Sequence, residues 1–194
     1  GDEVASIVLV CGGDNVNGEL HEDAETNEIT PAHQVRVVAR EIASGVEFLA
    51  AEFPDVAIDV DVLPGNHGRM RKAPPSARVT ELNFDTLVGD LLEAYLGEID
   101  RITVRVPPDG NSHRLVFAWG LYSHHGDKYG RGGGDGQIGA IGPIARGSLQ
   151  IREFFETLRR TDPSALPVHY MLSGHFHDLV EWRGTFGNGS IIGP

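Results

Sequence analysis

Cysteine occurs once in the 194 residues, at Cys11, so no disulfide can close within the chain and nothing points to an oxidising compartment. There is no run of the ~18 apolar residues that a membrane helix needs. The N-terminal stretch "GDEVASIVLVCGGD" has only a short apolar core with acidic flanks, the wrong charge for a secretory signal. Basic residues are scarce: 16 Lys and Arg stand against 28 Asp and Glu, a formal net charge of −12. That balance argues against a broad nucleic-acid-binding face, because non-specific duplex affinity comes from Lys and Arg neutralising phosphates. No internal repeat and no dividing linker is visible either. What is present suffices for a core: 40% hydrophobic and 23% charged residues are globular values, in a length that suits one compact domain.

Four times an apolar run ends abruptly in polar side chains. "ASIVLVCGGDN" leads to Asp14, "VAIDVDVLPGNH" to Asn66 and His67, "RLVFAWGLYSHHGD" to His124, His125 and Asp127, and "PVHYMLSGHFHD" to His175, His177 and Asp178. Each run is short, rich in β-branched or aromatic residues and closed by Gly, the pattern of a buried strand. Between them the apolar spacing predicts helices. One covers 31–53, with Thr30 as N-cap, Pro31 at the first position and Val35, Val38, Ala39, Ile42, Val46 and Leu49 on one face. A second covers about 79–96, with Leu82, Leu87, Leu91, Leu92 and Tyr95, and a third about 149–160, with Ile151, Phe154, Phe155 and Leu158. Strands alternating with helices imply a layered α/β domain. Asp109-Gly110 and Arg183-Gly184 sit near the turns of two expected hairpins, so mixed sheets are expected.

Ligands in open α/β sheets bind beyond the carboxyl ends of strands, where all four polar clusters fall. Taken singly, each has an ordinary structural explanation as a turn residue or a satisfied loop histidine; the fourfold repetition favours a shared site. Carboxylate, amide and imidazole donors without thiolate suit Mn²⁺, Fe or Zn²⁺ rather than a structural zinc. Paired ions of this kind activate water for hydrolysis and neutralise phosphoryl oxygens, which makes phosphate esters the natural substrate. Positive charge gathers beside the clusters: Arg69, Arg71, Lys72 and Arg78 follow Asn66 and His67, and Lys128 and Arg131 follow the second histidine pair.

In order, "CGGDNVNG", "PGNHG", "HHGD" and "SGHFH" resemble the Gly-Asp, Gly-Asn-His, His-Gly and Gly-His-x-His blocks of the calcineurin-like metallophosphoesterases, closest to bacteriophage-type members, over nearly the whole chain. The resemblance implies a four-layer αββα sandwich of two mixed sheets flanked by helices, a single domain over 1–194. It implies two divalent ions, Mn²⁺ foremost with Fe, Zn²⁺ or Ni²⁺ as alternatives. Asp14 would bridge them, Asn66, His125 and His175 would complete one, and His177 would bind the other. His67 would be the catalytic non-ligand, protonating the leaving group or stabilising phosphoryl oxygens, with Arg69, Arg71, Lys128 and Arg131 binding substrate. The Gly-rich "YGRGGGDGQIG" would let backbone N–H groups approach phosphate.

The implied activity is metal-dependent hydrolysis of a phosphodiester or phosphomonoester by metal-activated hydroxide, nuclease-like. Its substrate would be a nucleotide or single-stranded nucleic acid, with no membrane partner, in the cytoplasm of a bacterial or phage-infected cell. Two features depart from the family. Gly68 stands where many members carry an acidic residue, and the family's opening Asp-x-His block has no counterpart before "IVLVCGGD"; His21 and Asp23 have the wrong order for it. The expectation is a domain truncated at both ends. The alternative is a non-catalytic scaffold or accessory module that keeps the phosphoesterase fold with an incomplete metal site.

Overall fold

The structure, a computed structural model, describes residues 4–75, 78–129, 141–177 and 179–188. It is of the α/β class, and the chain divides into two units, Gly1–Gly110 and Asn111–Pro194.

In the first unit β1 (Ser6–Cys11), β2 (Ala57–Val62) and β3 (Ile102–Arg105) form a parallel sheet in that order. α1 (Pro31–Glu52) connects the first two strands and α2 (Phe84–Leu96) the second two, and a helical crossover is what parallel pairing requires. One face of β2, Ile58, Val60 and Val62, is fully buried with Val35, Ala39, Ala43, Val46 and Ala50 of α1 and with Val88, Leu92 and Leu96 of α2. Each such Val or Leu contributes ~1.5–3 kcal/mol of burial.

α1 runs as its spacing predicts. α2 begins five residues later than expected, because Asn83 caps it: its side chain accepts the N–H of Asp85 at 2.9 Å. Its buried stripe also differs. Val88, Leu92 and Leu96 lie inside while Leu87 and Tyr95, two expected apolar positions, are exposed.

In the second unit β4 (Ser112–Val116), β5 (Trp119–His124), β6 (Tyr170–Ser173), β7 (Val180–Trp182) and β8 (Thr185–Gly187) form a mixed sheet in the order β4-β5-β6-β8-β7. The hairpin expected around Asp109-Gly110 does not form. β3 pairs in parallel with β2, and β4 pairs instead with β5 across Phe117-Ala118, where Phe117 takes φ 54°. The Arg183-Gly184 hairpin is as expected, joining β7 to β8 with both turn residues at positive φ, 47° and 73°, which matches the strands' twist.

α3 (Ile141–Thr161) begins eight residues before its expected start. Its first turns, "IGPIARGS", carry two glycines and a proline, yet Pro143 falls in the opening turn and is tolerated there. Gly147 leaves room for the Tyr129 ring, which any Cβ at that position would overlap. Phe154, expected on the apolar face, is exposed. Arg152 ties the helix to the sheet, donating to the carbonyls of Val168 and His169 at 2.8 and 2.9 Å and of Arg183 at 3.1 Å. No helix among the described residues is long and apolar enough to cross a membrane.

Candidate functional site

β1 and β2 run in register with Cys11 opposite Val62, so the segments that follow them leave the sheet at the same edge. The N–H of Leu63 extends the pairing to the Cys11 carbonyl at 2.9 Å. Beyond it the two loops lock together, the backbone N–H of His67 donating to Asp14 Oδ1 at 2.8 Å. A Cβ on Gly65 would overlap the backbone nitrogen and carboxylate of Asp14, so only glycine admits this approach. Asp14 and the Asn66-His67 pair, predicted from separate motifs, therefore share one cluster.

Beneath the cluster lies Asp85, which the motifs did not single out. Its carboxylate is fully buried and accepts the backbone N–H groups of Gly65 at 2.7 Å, Asn15 at 3.0 Å and Asp14 at 3.2 Å, with Asn15 Nδ2 at 3.1 Å. It sits in the first turn of α2, where the helix dipole also favours negative charge. Asn83, equally buried, donates to the Gly65 carbonyl at 2.8 Å. A Cβ on Gly68 would intrude on both Asn83 and Asp85, which accounts for glycine at this position.

The His67 ring is held by two neighbours. Nδ1 lies 2.6 Å from Asn17 Oδ1, and one face stacks on His21 with ring centroids 3.9 Å apart and planes 10° from parallel. His21 Nε2 is in turn 3.3 Å from both the carbonyl oxygen and the side-chain Nδ2 of Asn66. His21, which matched no ligand position in the sequence, thus touches both Asn66 and His67 of the Gly-Asn-His block. Cys11, at the end of β1, is a thiol rather than a thiolate: burial, with the Asp85 and Asp61 carboxylates adding to it, pushes its pKa up to about 11.

The second unit repeats the arrangement. β5 and β6 are parallel with His124 opposite Ser173, so His125 and the Gly174-His175 segment leave at one end, joined by the Gly174 N–H on the His125 carbonyl at 2.8 Å. The buried His125 ring meets His175 edge-on, centroids 5.1 Å apart, with their ligand-capable nitrogens within 4.8 Å. His177 is exposed and is not part of that grouping.

His124, one residue earlier, is engaged by the Tyr129 hydroxyl at 2.5 Å. Burial, with His125 and Lys128 nearby, lowers its pKa to about 3, so the ring is neutral. The adjacent histidines have different surroundings, and His125 is the one paired with His175.

Five non-glycine residues among those described have positive φ, and three are predicted ligands: Asp14 at 55°, His175 at 71° and His177 at 55°. A left-handed backbone on a non-glycine residue costs of order 1–3 kcal/mol, Asp and His adopting it more readily than most, and persists where surrounding contacts impose it. Of the basic residues, Arg69 is half-buried and bridges to Asn83, while Arg71 and Lys128 are exposed. Arg131, most of the Gly-rich segment, and Asp178 lie outside the described residues.

Comparisons of the chain with protein-family models, with curated proteins and with solved structures return no match. Taken unit by unit, the first unit's loops carry a carboxylate and an amide, and the second unit's carry two imidazoles in ring contact, all donor types that ligate divalent cations.

Proposed function

We propose that the chain is a metal-dependent phosphoesterase that hydrolyses a phosphodiester or phosphomonoester, as its resemblance to the calcineurin-like metallophosphoesterases implies, with single-stranded nucleic acid or a nucleotide as the favoured substrate class. Asp14, Asn66, His125, His175 and His177 are the assigned ligands and Mn²⁺ the assigned metal, in a bacterial or phage-infected cytoplasm. Such ions, when bound, supply Lewis-acid stabilisation of phosphoryl oxygens and an ionised water.

The chain's own residues do the rest. His67, fixed against Asp14 through its backbone and against Asn17 and His21 through its ring, gives a proton to the leaving-group oxygen. Arg71 and Lys128, exposed just after the two loops, attract the anionic substrate to a protein whose net charge of −12 otherwise repels it.

The observation that carries this reading is the concentration of backbone strain on assigned ligands: Asp14, His175 and His177 stand at the ends of strand-to-loop segments and all adopt the left-handed conformation. The test is hydrolysis of bis-nitrophenyl phosphate and of single-stranded DNA by the full chain with Mn²⁺. The expected result is metal-dependent turnover that His67→Ala lowers by ~10²–10⁴-fold with Mn²⁺ binding retained. No turnover with Mn²⁺, Fe²⁺, Zn²⁺ or Ni²⁺ overturns the proposal in favour of a non-catalytic module.

A further inference from the structure

Among the described residues, the sheet of the second unit buries one face and exposes aromatic rings on the other. Gly120, Met171, Thr185 and Gly187 are buried on the side of α3, where Arg152 Nη2 reaches Thr185 Oγ1 at 3.4 Å. The opposite face follows from the register. Leu121 pairs with Tyr170 and Leu172 with Phe186, so Trp119, two residues before Leu121, joins Tyr170 and Phe186 on one side.

Their rings form a row across β5, β6 and β8, with centroids 5.6 Å apart from Trp119 to Tyr170 and 6.3 Å from Tyr170 to Phe186, and they are 52%, 39% and 40% exposed. The solvated face of a sheet is ordinarily polar, and a row of exposed rings in its place marks a surface for a ligand. Trp119 is braced from behind. The His169 ring meets it edge-on with centroids 5.1 Å apart, and His169 Nδ1 accepts the Gly120 N–H at 2.9 Å.

Charge selects the ligand. The net charge of −12 belongs to the first unit, whose sequence holds eight Lys and Arg against 21 Asp and Glu, while the second holds eight against seven. The acidity that argues against nucleic acid for the chain as a whole is thus missing from the unit that carries the aromatic row. Arg114 lies on the same face, opposite Leu121, and Arg183 is exposed at the β7–β8 turn with its guanidinium 5.3 Å from the Trp182 ring centroid. Glu181, opposite Phe186, is engaged by the Gly184 N–H at 3.2 Å. A second copy of the chain, by contrast, would bring its own charge of −12 to the contact.

We propose that Trp119, Tyr170 and Phe186 form a stacking platform for the bases of single-stranded nucleic acid, with Arg114 and Arg183 meeting its phosphates. Every base has a π face, so the platform tolerates sequence, and stacking supplies most of the affinity because only two cations flank the row. The choice of nucleic acid rests on the proposed function; the exposed row does not.

The test is binding of a fluorescently labelled thymidine oligomer of ~12 nucleotides to the full chain in EDTA, read by anisotropy, so that hydrolysis plays no part. Trp119→Ala and Phe186→Ala are each expected to weaken binding ~5–150-fold, the range for losing one stacked base. Trp119→Phe should keep most of the affinity, and Phe48→Ala, which removes an exposed ring on α1 of the first unit, should change nothing. The salt dependence should be shallow, with a log–log slope of about −1.4 for two phosphate contacts. Ultraviolet crosslinking of a 5-iododeoxyuridine oligomer to the wild type should label peptides from β5, β6 and β8, and it decides even if the variants fail to fold.

No binding, binding indifferent to both alanine variants, or crosslinks confined to the first unit overturns the proposal. So does a dimer in sedimentation that Trp119→Ala dissociates, which would give the face to a second copy. Binding at the row by a chain with no turnover upholds the platform and sinks the phosphoesterase reading. Turnover of bis-nitrophenyl phosphate without oligonucleotide binding does the reverse.

Discussion

The two candidate loop clusters both place polar side chains just beyond parallel strand ends but are held in different ways. In the first unit, Asp14 and the Gly65–His67 turn hang from one buried carboxylate, Asp85, through three backbone N–H groups, and Asn17 and His21 hold the His67 ring. In the second, His125 and His175 meet through ring packing, next to a neutral, buried His124 that bonds Tyr129. The first cluster is organised by a negative charge that must stay ionised, the second by an imidazole that must stay uncharged. Rigidity of one cluster thus depends on keeping a charge in the interior, and that of the other on keeping a charge out of it.

The sharpest way to break this contrast is Asp85→Ala. It strands the N–H groups of Gly65, Asn15 and Asp14 without their acceptor, and the expected loss is ~3–5 kcal/mol of stability in urea unfolding, with metal-dependent turnover lost as well. A loss under ~1 kcal/mol would show that Asp85 is not the support described.

Acid is the matching probe of the second cluster. His124 has its pKa lowered from 6.5 to about 3 on folding, so below pH ~6.5 the unfolded chain binds a proton that the folded chain refuses. Its contribution is fully present above pH ~6.5 and lost as pH falls towards about 3, at up to ~1.4 kcal/mol per pH unit. His124→Phe should flatten that limb of the stability profile, and an unchanged slope would remove His124 as its cause. The smallest effect sharpens the picture at the rim. Lys128→Ala, an exposed side chain beside the second cluster, should raise KM for a phosphodiester by ~2–5-fold at low salt, with kcat unchanged and the difference fading as salt is added.

Much of this was legible in the chain itself. The four strand ends, the start of α1 at Pro31 and the Arg183-Gly184 hairpin follow from local pattern and local stereochemistry. The later start of α2 was also written locally, in Asn83, but it competes there with an apolar stretch that continues upstream. The misread hairpin at Asp109-Gly110 has a different cause. A turn signal records that the chain reverses, and says nothing of which strand lies beside the next one.

The supporting residues were not legible at all. Asp85, Asn17 and His21 are ordinary polar residues in a strongly acidic chain, and Asp85 meets Asp14 across 71 positions while His21 meets Asn66 across 45. By itself the sequence determined which residues carry donor atoms and where strands end, because periodicity and turn chemistry act over a few residues. Only the tertiary structure decided which buried carboxylate bears the loops, which of two adjacent histidines faces its partner and which side chains hold the His67 ring, because each depends on hydrogen bonds or ring contacts that form only once the chain has folded.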